Sequence, residues 1–199
     1  GPLGDESAPT PWPVDEGGNG HLYQWVEVPA GVSWIEAQAV AEFRGGHLAT
    51  PTSEAENTFI FDLIAGVDAL WQTQTFASGA TVTFGPWIGG LQDPAGAEPD
   101  GGWGWVTGEL WDYTNWRDIE PNQNNEQFGV DEDFLHYAGP GAEPSDEWND
   151  RNVDPFDGTL PDEFGPQVTG FVIEYVPAPG GLGVACVLLG LGVSVRRMR

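Results

Sequence analysis

The order of helical and strand patterns along the chain predicts an α+β fold. Helix patterns begin after Ser33 and after Ser53, both in the first third of the sequence. Strand patterns lie at residues 21–28, 87–91, 134–137 and 170–175. Long loops rich in Gly, Pro and Asp separate the later strands. Because helices and strands are segregated rather than alternating, we expect two helices beside small antiparallel sheets.

The opening strand and the first helix are the clearest of these elements. Residues 21–28 (HLYQWVEV) alternate and contain aromatic side chains, as a half-buried strand requires. Ser33 followed by Glu36 forms a capping-box signature. Apolar residues from Trp34 to Ala41 then fall on one helical face, and Gly45-Gly46 predicts the end of the helix.

The second helix and the later strands follow the same logic. Ser53 with Glu56 predicts a second capping box. The run at 87–91 is short and apolar and predicts a buried strand, as do 134–137 and 170–175. Four tryptophans are interpreted as core residues rather than as platforms for sugar rings: Trp87, Trp105, Trp116 and Trp148.

Composition excludes several partners. The chain has 199 residues, a formal net charge of −25 and no lysine. Nucleic acid and anionic membrane surfaces are attracted by cationic side chains, so neither is an expected partner of the domain. A strongly acidic surface is compatible with cations and with high solubility.

Cysteine content and catalytic motifs are also informative. Cys186 is the single cysteine, so an intrachain disulfide is impossible and a cysteine nucleophile is not expected. The sequence contains no Gly-x-Ser-x-Gly motif and no phosphate loop. A pair of carboxylates could in principle serve glycoside hydrolysis, but carboxylates bound to a metal are poor proton shuttles. We therefore expect a protein that is not an enzyme.

Both ends of the chain read as segments outside the fold. Residues 1–4 (GPLG) look like a tag remnant, and residues 5–18 are rich in Pro, Gly and acids, which predicts a flexible N-terminal segment. At the other end, residues 177–199 combine a Val-Pro-Ala-Pro start, an apolar run and a final arginine cluster.

That C-terminal order resembles the PEP-CTERM sorting signals of bacterial surface proteins, in a Val-Pro variant. The resemblance implies an exported protein, secreted or held at the cell surface, whose tail engages the membrane transiently before it is cleaved. A plain C-terminal anchor or a buried helix is the alternative. The apolar run is short for a spanning helix, which needs about 20 residues.

Three segments carry oxygen ligands of mixed type. They are Glu120-Pro121-Asn122, Glu132-Asp133 and Trp148-Asn149-Asp150. Carboxylates supply negative charge and amides supply further oxygens without added repulsion, a combination that suits Ca²⁺. Such a site can also hydrogen-bond a sugar hydroxyl that touches the ion. The pattern favours calcium-dependent carbohydrate binding.

Residues 19–176 as a whole resemble a C-type lectin-like domain. Motifs in the order of that family are Trp34-Ile35-Glu36-Ala37, Gly45-Gly46-His47-Leu48-Ala49, Trp87-Ile88-Gly89, Trp105-Val106-Thr107-Gly108, Tyr113-Thr114-Asn115-Trp116, the three oxygen-rich segments, and Phe171-Val172-Ile173-Glu174-Tyr175. The doubled Gly89-Gly90 resembles a bacterial branch. Ala41, Ile173 and Phe134 stand where the family has disulfide cysteines, so apolar packing is expected to replace the bridges.

The resemblance implies a calcium site and a sugar specificity. The calcium ligands would be Glu120, Asn122, Glu132, Asn149 and Asp150, with a cis bond before Pro121. The first four would also hydrogen-bond the sugar. Glu-Pro-Asn resembles members that take vicinal equatorial hydroxyls, as in mannose, glucose, N-acetylglucosamine or fucose, whereas Gln-Pro-Asp members take galactose.

Three alternatives stay open. Glu126 could replace Glu132, because the spacing after Asn122 is longer than is usual for the family. A second, auxiliary calcium could use Asp93, Asp133 and either Glu98 or Asp100. Finally, many domains of this fold bind proteins or act as surface adhesins without binding sugar.

Overall fold

The opening and closing strands of the domain pair with each other along their length. A computed structural model describes residues 2–122, 131–152 and 166–178. In it, β2 (Leu22–Glu27) lies antiparallel to β9 (Gly170–Tyr175), with Leu22 opposite Tyr175 and Glu27 opposite Gly170. Both strands were predicted from the sequence, and both predictions are confirmed.

Helix α1 (Trp34–Phe43) begins with the predicted capping box. Ser33 Oγ accepts from the backbone N–H of Glu36, and the Glu36 carboxylate accepts from the backbone N–H of Ser33, both at 3.2 Å. These bonds satisfy two of the N–H groups that the first turn leaves unpaired. The helix ends at Gly45, whose φ of 84° is accessible to glycine at little cost.

Helix α2 (Glu54–Ile64) departs from the second predicted capping box. Ser53 caps the helix through the N–H of Glu56 at 3.2 Å. The Glu56 carboxylate, however, turns into the core, where it accepts from Thr52 N at 2.9 Å and from the Tyr23 hydroxyl at 2.5 Å. The box is therefore only half formed, because a buried tyrosine on β2 competes for the carboxylate.

Glu174 on β9 belongs to the same buried network. Its carboxylate accepts from Thr50 N at 3.0 Å, and His21 Nδ1 lies 2.5 Å from its other oxygen. Burial raises the pKa of Glu56. The network joins α2 to the β2–β9 pair with buried polar groups whose hydrogen bonds are satisfied.

Strand β5 (Thr81–Gln92) organises the rest of the sheet. It is longer than the predicted strand at 87–91, and it pairs with three antiparallel neighbours and, at Trp87–Phe171, in parallel with β9. The other strands are β1 (Thr10–Pro11), β3 (His47–Leu48), β4 (Gln72–Thr75), β6 (Trp103–Trp105), β7 (Phe134–Gly139) and β8 (Trp148–Arg151). The nine strands of the described residues thus form one mixed sheet rather than separate antiparallel sheets.

The N-terminal segment differs from the flexible lead-in that we predicted for residues 5–18. Thr10 and Pro11 pair with Tyr23 and Leu22, and Glu6 forms an isolated bridge with Val26. The Trp12 ring stacks on Phe59 of α2, with ring centroids 5.5 Å apart. Composition suggested disorder, but an aromatic anchor and free β2 backbone groups order the segment.

Apolar side chains occupy the positions at which the resemblance to C-type lectin-like domains placed disulfide cysteines. Ala41 and Ile173 are fully buried in one apolar cluster between α1 and β9. Phe134 packs against Trp34 with centroids 4.8 Å apart. Stabilisation that a bridge would contribute by restricting the unfolded chain is replaced here by burial.

The four selected tryptophans are largely part of the core, as predicted. Trp87, Trp105 and Trp148 are at most 4% exposed, and Trp116 is half-buried. Trp148 contacts Trp105, Trp116 and other rings at centroid distances of 5.5–6.1 Å. Its indole N–H donates to Asn57 Oδ1 at 2.9 Å.

Within the described ranges, no helix is long and apolar enough to cross a membrane. The apolar run of the predicted sorting signal, from residue 180 onward, lies outside those ranges.

Asn57 on α2 provides a test of this core. Its Oδ1 accepts from both Trp148 Nε1 and the Tyr137 hydroxyl at 2.9 Å. Asn57→Leu keeps the volume and leaves two buried donors without an acceptor, so we expect the free energy of unfolding to fall by about 2–4 kcal/mol. Chemical denaturation measures it. The control is Thr58→Leu at the neighbouring exposed position, and equal stability of the two variants would contradict the expectation.

Candidate functional site

The long loop after β6 returns to lie beside β8. Trp116 forms a parallel bridge with Trp148, the backbone N–H of Arg117 donates to Trp148 O at 2.9 Å, and Trp148 N donates to Asn115 O at 2.8 Å. Residues 115–117 therefore act as a short extra strand at the edge of β8. This pairing places the next residues of the loop beside Asn149 and Asp150.

A tight turn then presents Glu120, Pro121 and Asn122. Glu120 N donates to Arg117 O at 3.0 Å, and Ile119 within the turn has a φ of 72°. That φ is uncommon for a β-branched residue and costs about 1–3 kcal/mol. The bond before Pro121 is cis, as the family resemblance implied.

A hydrogen bond between predicted ligands joins the loop to β8. Asn122 N donates to Asp150 Oδ2 at 2.9 Å. Asn122 Nδ2 also contacts Glu120 Oε2. Segments that lie 28 residues apart in the sequence therefore meet through the side chains predicted to share an ion.

Asp150 is the electrostatic centre of the site. It is 2% exposed, and its Oδ1 has no hydrogen-bond partner among the residues that the structure describes. Burial, with the negative charges of Glu132 and Glu120, raises the pKa of Asp150 to about 9. Burial also raises the pKa of Glu120. Asp150 thus lies close enough to Glu132 and Glu120 for their charges to repel it, in a site that water hardly reaches.

Asn149 lies between two basic side chains. Its Oδ1 accepts from Arg117 Nη2 at 3.1 Å, and its Nδ2 donates to His136 Nε2 at 3.3 Å. His136 is opposite Asn149 in the β7–β8 ladder and is fully buried. Burial and the nearby Arg151 lower the pKa of His136 well below its ordinary value, so the imidazole is neutral and can accept.

Glu132 precedes β7 and is 8% exposed. Its charge raises the pKa of Asp150 and opposes the lowering of the Arg151 pKa that burial causes. Glu132 therefore belongs to the same charged group as Asp150, as its predicted role requires. Glu126, the alternative ligand, lies outside the described residues.

Two arginines in this site were not anticipated from the sequence. Arg117 Nη2 lies 2.5 Å from Glu120 Oε1, and the Glu120 side chain is 1% exposed. Arg151 donates from Nη2 to Pro166 O at 2.7 Å and lies over the Phe84 ring at 4.9 Å. Composition could have drawn attention to these arginines, because the sequence has six arginines and no lysine, and two of the arginines flank the predicted ligands.

The fit of these residues to a divalent cation has two sides. As they stand, no three Asp, Glu, His or Cys side chains within residues 2–122, 131–152 and 166–178 converge into a metal-binding group. Yet one oxygen of the Asp150 carboxylate is buried without a partner in the described part of the chain, and Glu132 and Glu120 repel that carboxylate. A cation would relieve both conditions. Together with two amide oxygens, this donor set fits Ca²⁺.

The predicted auxiliary site is less developed. Asp93, Glu98 and Asp100 are exposed, and Asp93 Oδ1 accepts from Ala95 N at 2.9 Å within its own loop. Glu98 does lie near Asp133, because its charge, with burial and Asp131, raises the pKa of Asp133. Of the four candidate ligands, Glu98 and Asp133 are therefore close enough to interact electrostatically.

Asp150 gives the metal-free site a characteristic pH dependence. Its folded-state pKa of about 9 exceeds the ordinary 3.8, so the folded protein retains a proton that the unfolded chain releases. The contribution of Asp150 to the free energy of unfolding is therefore fully present below about pH 4 and is lost as the pH rises toward 9. Asp150→Asn removes the effect. In chelator at pH 8, we expect its free energy of unfolding to exceed that of the wild type by about 1–3 kcal/mol.

Denaturation at pH 5 and pH 8 measures this difference. Asp118→Asn is the matched control, since Asp118 is exposed in the same loop and the charge change is identical. The control should remain within about 0.5 kcal/mol of the wild type. If Asp150→Asn behaves like Asp118→Asn at pH 8, the carboxylates do not repel one another as described.

Comparisons with known proteins agree with this architecture. No family model matches the chain. A protein named lectin from Pleurodeles waltl is 28% identical over 130 residues, which are 64% of this chain. The matched region spans 62% of that relative's length.

Solved structures show the same fold. The cow C-type carbohydrate-recognition domain of CD23, crystallised with a GlcNAc2Man3 oligosaccharide, has a TM-score of 0.51 and 22% identity, covering 79% of this chain and 89% of that one. A calcium-independent type II antifreeze protein has a TM-score of 0.53 and 18% identity, covering 87% and 97%. At these identities the likeness establishes the fold alone: the chain has a C-type lectin-like fold.

Proposed function

We propose that this protein is a calcium-dependent carbohydrate-binding module. The observation that carries the proposal is the junction between the long loop and β8. There Asn122 N donates to Asp150 Oδ2 at 2.9 Å, while the other Asp150 oxygen is buried and has no hydrogen-bond partner among the described residues. The lectin relative and the carbohydrate-recognition fold support sugar as the ligand class.

The residues that would hold calcium are Glu120, Asn122, Glu132, Asn149 and Asp150. Three carboxylates and two amides meet the preference of Ca²⁺ for six to eight oxygens when water or ligand completes the shell. When bound, calcium supplies coordination positions that two neighbouring sugar hydroxyls can fill. Asp150, a buried carboxylate of the loop–β8 junction, would contribute charge rather than contact the sugar.

Hydrogen-bond polarity is the basis of the proposed specificity. Glu120 accepts and Asn122 donates, and the two side chains already lie in contact. Glu132 and Asn149 form the second acceptor–donor pair. This polarity suits vicinal equatorial hydroxyls, as in mannose, glucose, N-acetylglucosamine or fucose. A wrongly paired polar group costs about 1–3 kcal/mol, which is enough to discriminate between sugars.

The open position of the loop limits affinity. Pro121 and Asn122 are partly solvent-accessible, and a single sugar would make few contacts. We expect a dissociation constant near ~1 mM for a monosaccharide, equivalent to about −4 kcal/mol. Useful binding then depends on several copies acting together.

A second candidate function is binding without sugar or calcium. The calcium-independent antifreeze protein shares the fold, and in this chain Arg117 already neutralises Glu120. A protein-binding or adhesin module of this kind would keep its ligand in chelator. Sugar binding is favoured because the acceptor and donor residues of the proposed site lie together at one end of β8.

Calcium should stabilise the folded protein if the proposal is right. At a concentration 100 times its dissociation constant, the expected gain is about 2.7 kcal/mol, seen as a rise in melting temperature. Asp150→Asn should lose most of this rise, whereas Asp118→Asn should keep it. A glycan array in calcium and in chelator extends the test. Sugar binding that persists in chelator would refute calcium dependence.

Specificity is tested by inverting the first acceptor–donor pair. Glu120→Gln with Asn122→Asp should shift relative binding from mannose toward galactose by about tenfold, the factor that corresponds to about 1.4 kcal/mol. Competition with the two monosaccharides on a mannan surface measures the ratio. A ratio that stays unchanged while calcium still raises the melting temperature would remove these two residues from sugar recognition.

A further inference from the structure

The guanidinium of Arg117 holds two of the five proposed calcium ligands. One nitrogen, Nη2, lies 2.5 Å from Glu120 Oε1 and 3.1 Å from Asn149 Oδ1. These oxygens come from the long loop and from β8, the two sides of the proposed site. A single internal cation therefore already bridges the elements that calcium would bridge.

The position of Arg117 is fixed by its backbone as well as by charge. Its N–H donates to Trp148 O at 2.9 Å, so its Cα is tied to the start of β8. Its side chain is 15% exposed and that of Glu120 is 1% exposed, so water screens the ion pair weakly. The side chain is nevertheless not fully bonded, because Nε is buried without a partner within the described part of the chain.

The other two arginines in the described residues have different contacts. Arg44 pairs with Glu6 at 2.8 Å on the surface, where Glu6 is 43% exposed. Arg151 donates to Pro166 O, lies over the Phe84 ring and interacts electrostatically with Glu132. Arg117 Nη2 contacts oxygens of two proposed ligands from the two sides of the site, Glu120 and Asn149.

We propose that Arg117 is an internal counter-ion that competes with calcium for Glu120 and Asn149 and thereby sets the calcium affinity. The inference rests on the proposed function. A bound Ca²⁺ lies about 2.3–2.6 Å from its oxygen ligands. A like-charged guanidinium at 2.5 Å and 3.1 Å from two of them must withdraw before the ion enters. Arg117 thus occupies two of the ligand oxygens in the metal-free protein and leaves them when calcium is abundant.

The test compares two arginine variants with equal net charge. Arg117→Gln removes the competitor, and Arg44→Gln removes an arginine from an exposed ion pair elsewhere. Calcium titration calorimetry of the full chain should show about tenfold tighter binding for R117Q than for the wild type, a change of about 1.4 kcal/mol. R44Q should stay within about threefold. In chelator, R117Q should melt below R44Q, because buried carboxylates lose their counter-ion.

The outcomes separate this inference from the proposed function. If the wild type binds calcium and R117Q binds no tighter than R44Q, Arg117 is not a competitor, while the calcium site stands. If R117Q binds calcium and the wild type does not, Arg117 blocks the site, and calcium dependence of the native protein is refuted. If no variant binds calcium, both proposals fall.

A second variant protects the test against misfolding. Should R117Q lose its cooperative unfolding transition, Arg117→Lys serves instead. Lysine keeps the charge but cannot reproduce the planar fork of a guanidinium between two acceptors. We expect R117K to bind calcium about threefold tighter than the wild type. Equal affinity of R117K and the wild type would overturn the inference.

Discussion

Repulsion among buried carboxylates is the constraint on which the site depends. Glu132 and Asp150 are at most 8% exposed and the Glu120 side chain is 1% exposed. Burial, with the negative charges of Glu132 and Glu120, raises the pKa of Asp150 to about 9. Such a group is stable only if it takes up protons, holds an internal cation or binds an external one. The metal-free structure uses Arg117, and the proposed function uses calcium. Both solutions act on the same oxygens, so acid, arginine and metal are three competing ways of neutralising one cluster.

The cluster is positioned by the apolar core rather than by the loop alone. β8 directs Trp148 into a cluster of aromatic rings that meet it mostly edge to face, and it carries Asn149 and Asp150 immediately after that residue. The pairing of residues 115–117 with Trp148, followed by the turn from Arg117 to Glu120, holds Glu120 beside the same strand. Opposite β8, the neutral His136 fixes the amide of Asn149. A binding site built from backbone pairing on a rigid strand is held more precisely than one built from loop residues alone.

Elements with local signals could be predicted from the sequence, whereas elements defined by distant partners could not. The capping residues of α1, the alternation of β2 and the apolar run of β9 are each contained in a few neighbouring residues. The two-residue strands β1 and β3 exist only because β2 and β9 offer free backbone groups. Glu56 left its expected capping bond for Tyr23, a residue 33 positions away. In the site, the acids and amides were evident as motifs, but the Arg117–Asn149 contact spans 32 positions and has no local signature.

The most direct test of the account is a crystal structure of the protein grown in millimolar calcium. The account predicts one ion between Glu120 and Asp150, with the Arg117 guanidinium moved away from Glu120 Oε1 and Asn149 Oδ1. An empty site with Arg117 still bonded to both oxygens would contradict the central claim that this cluster is built for an external cation.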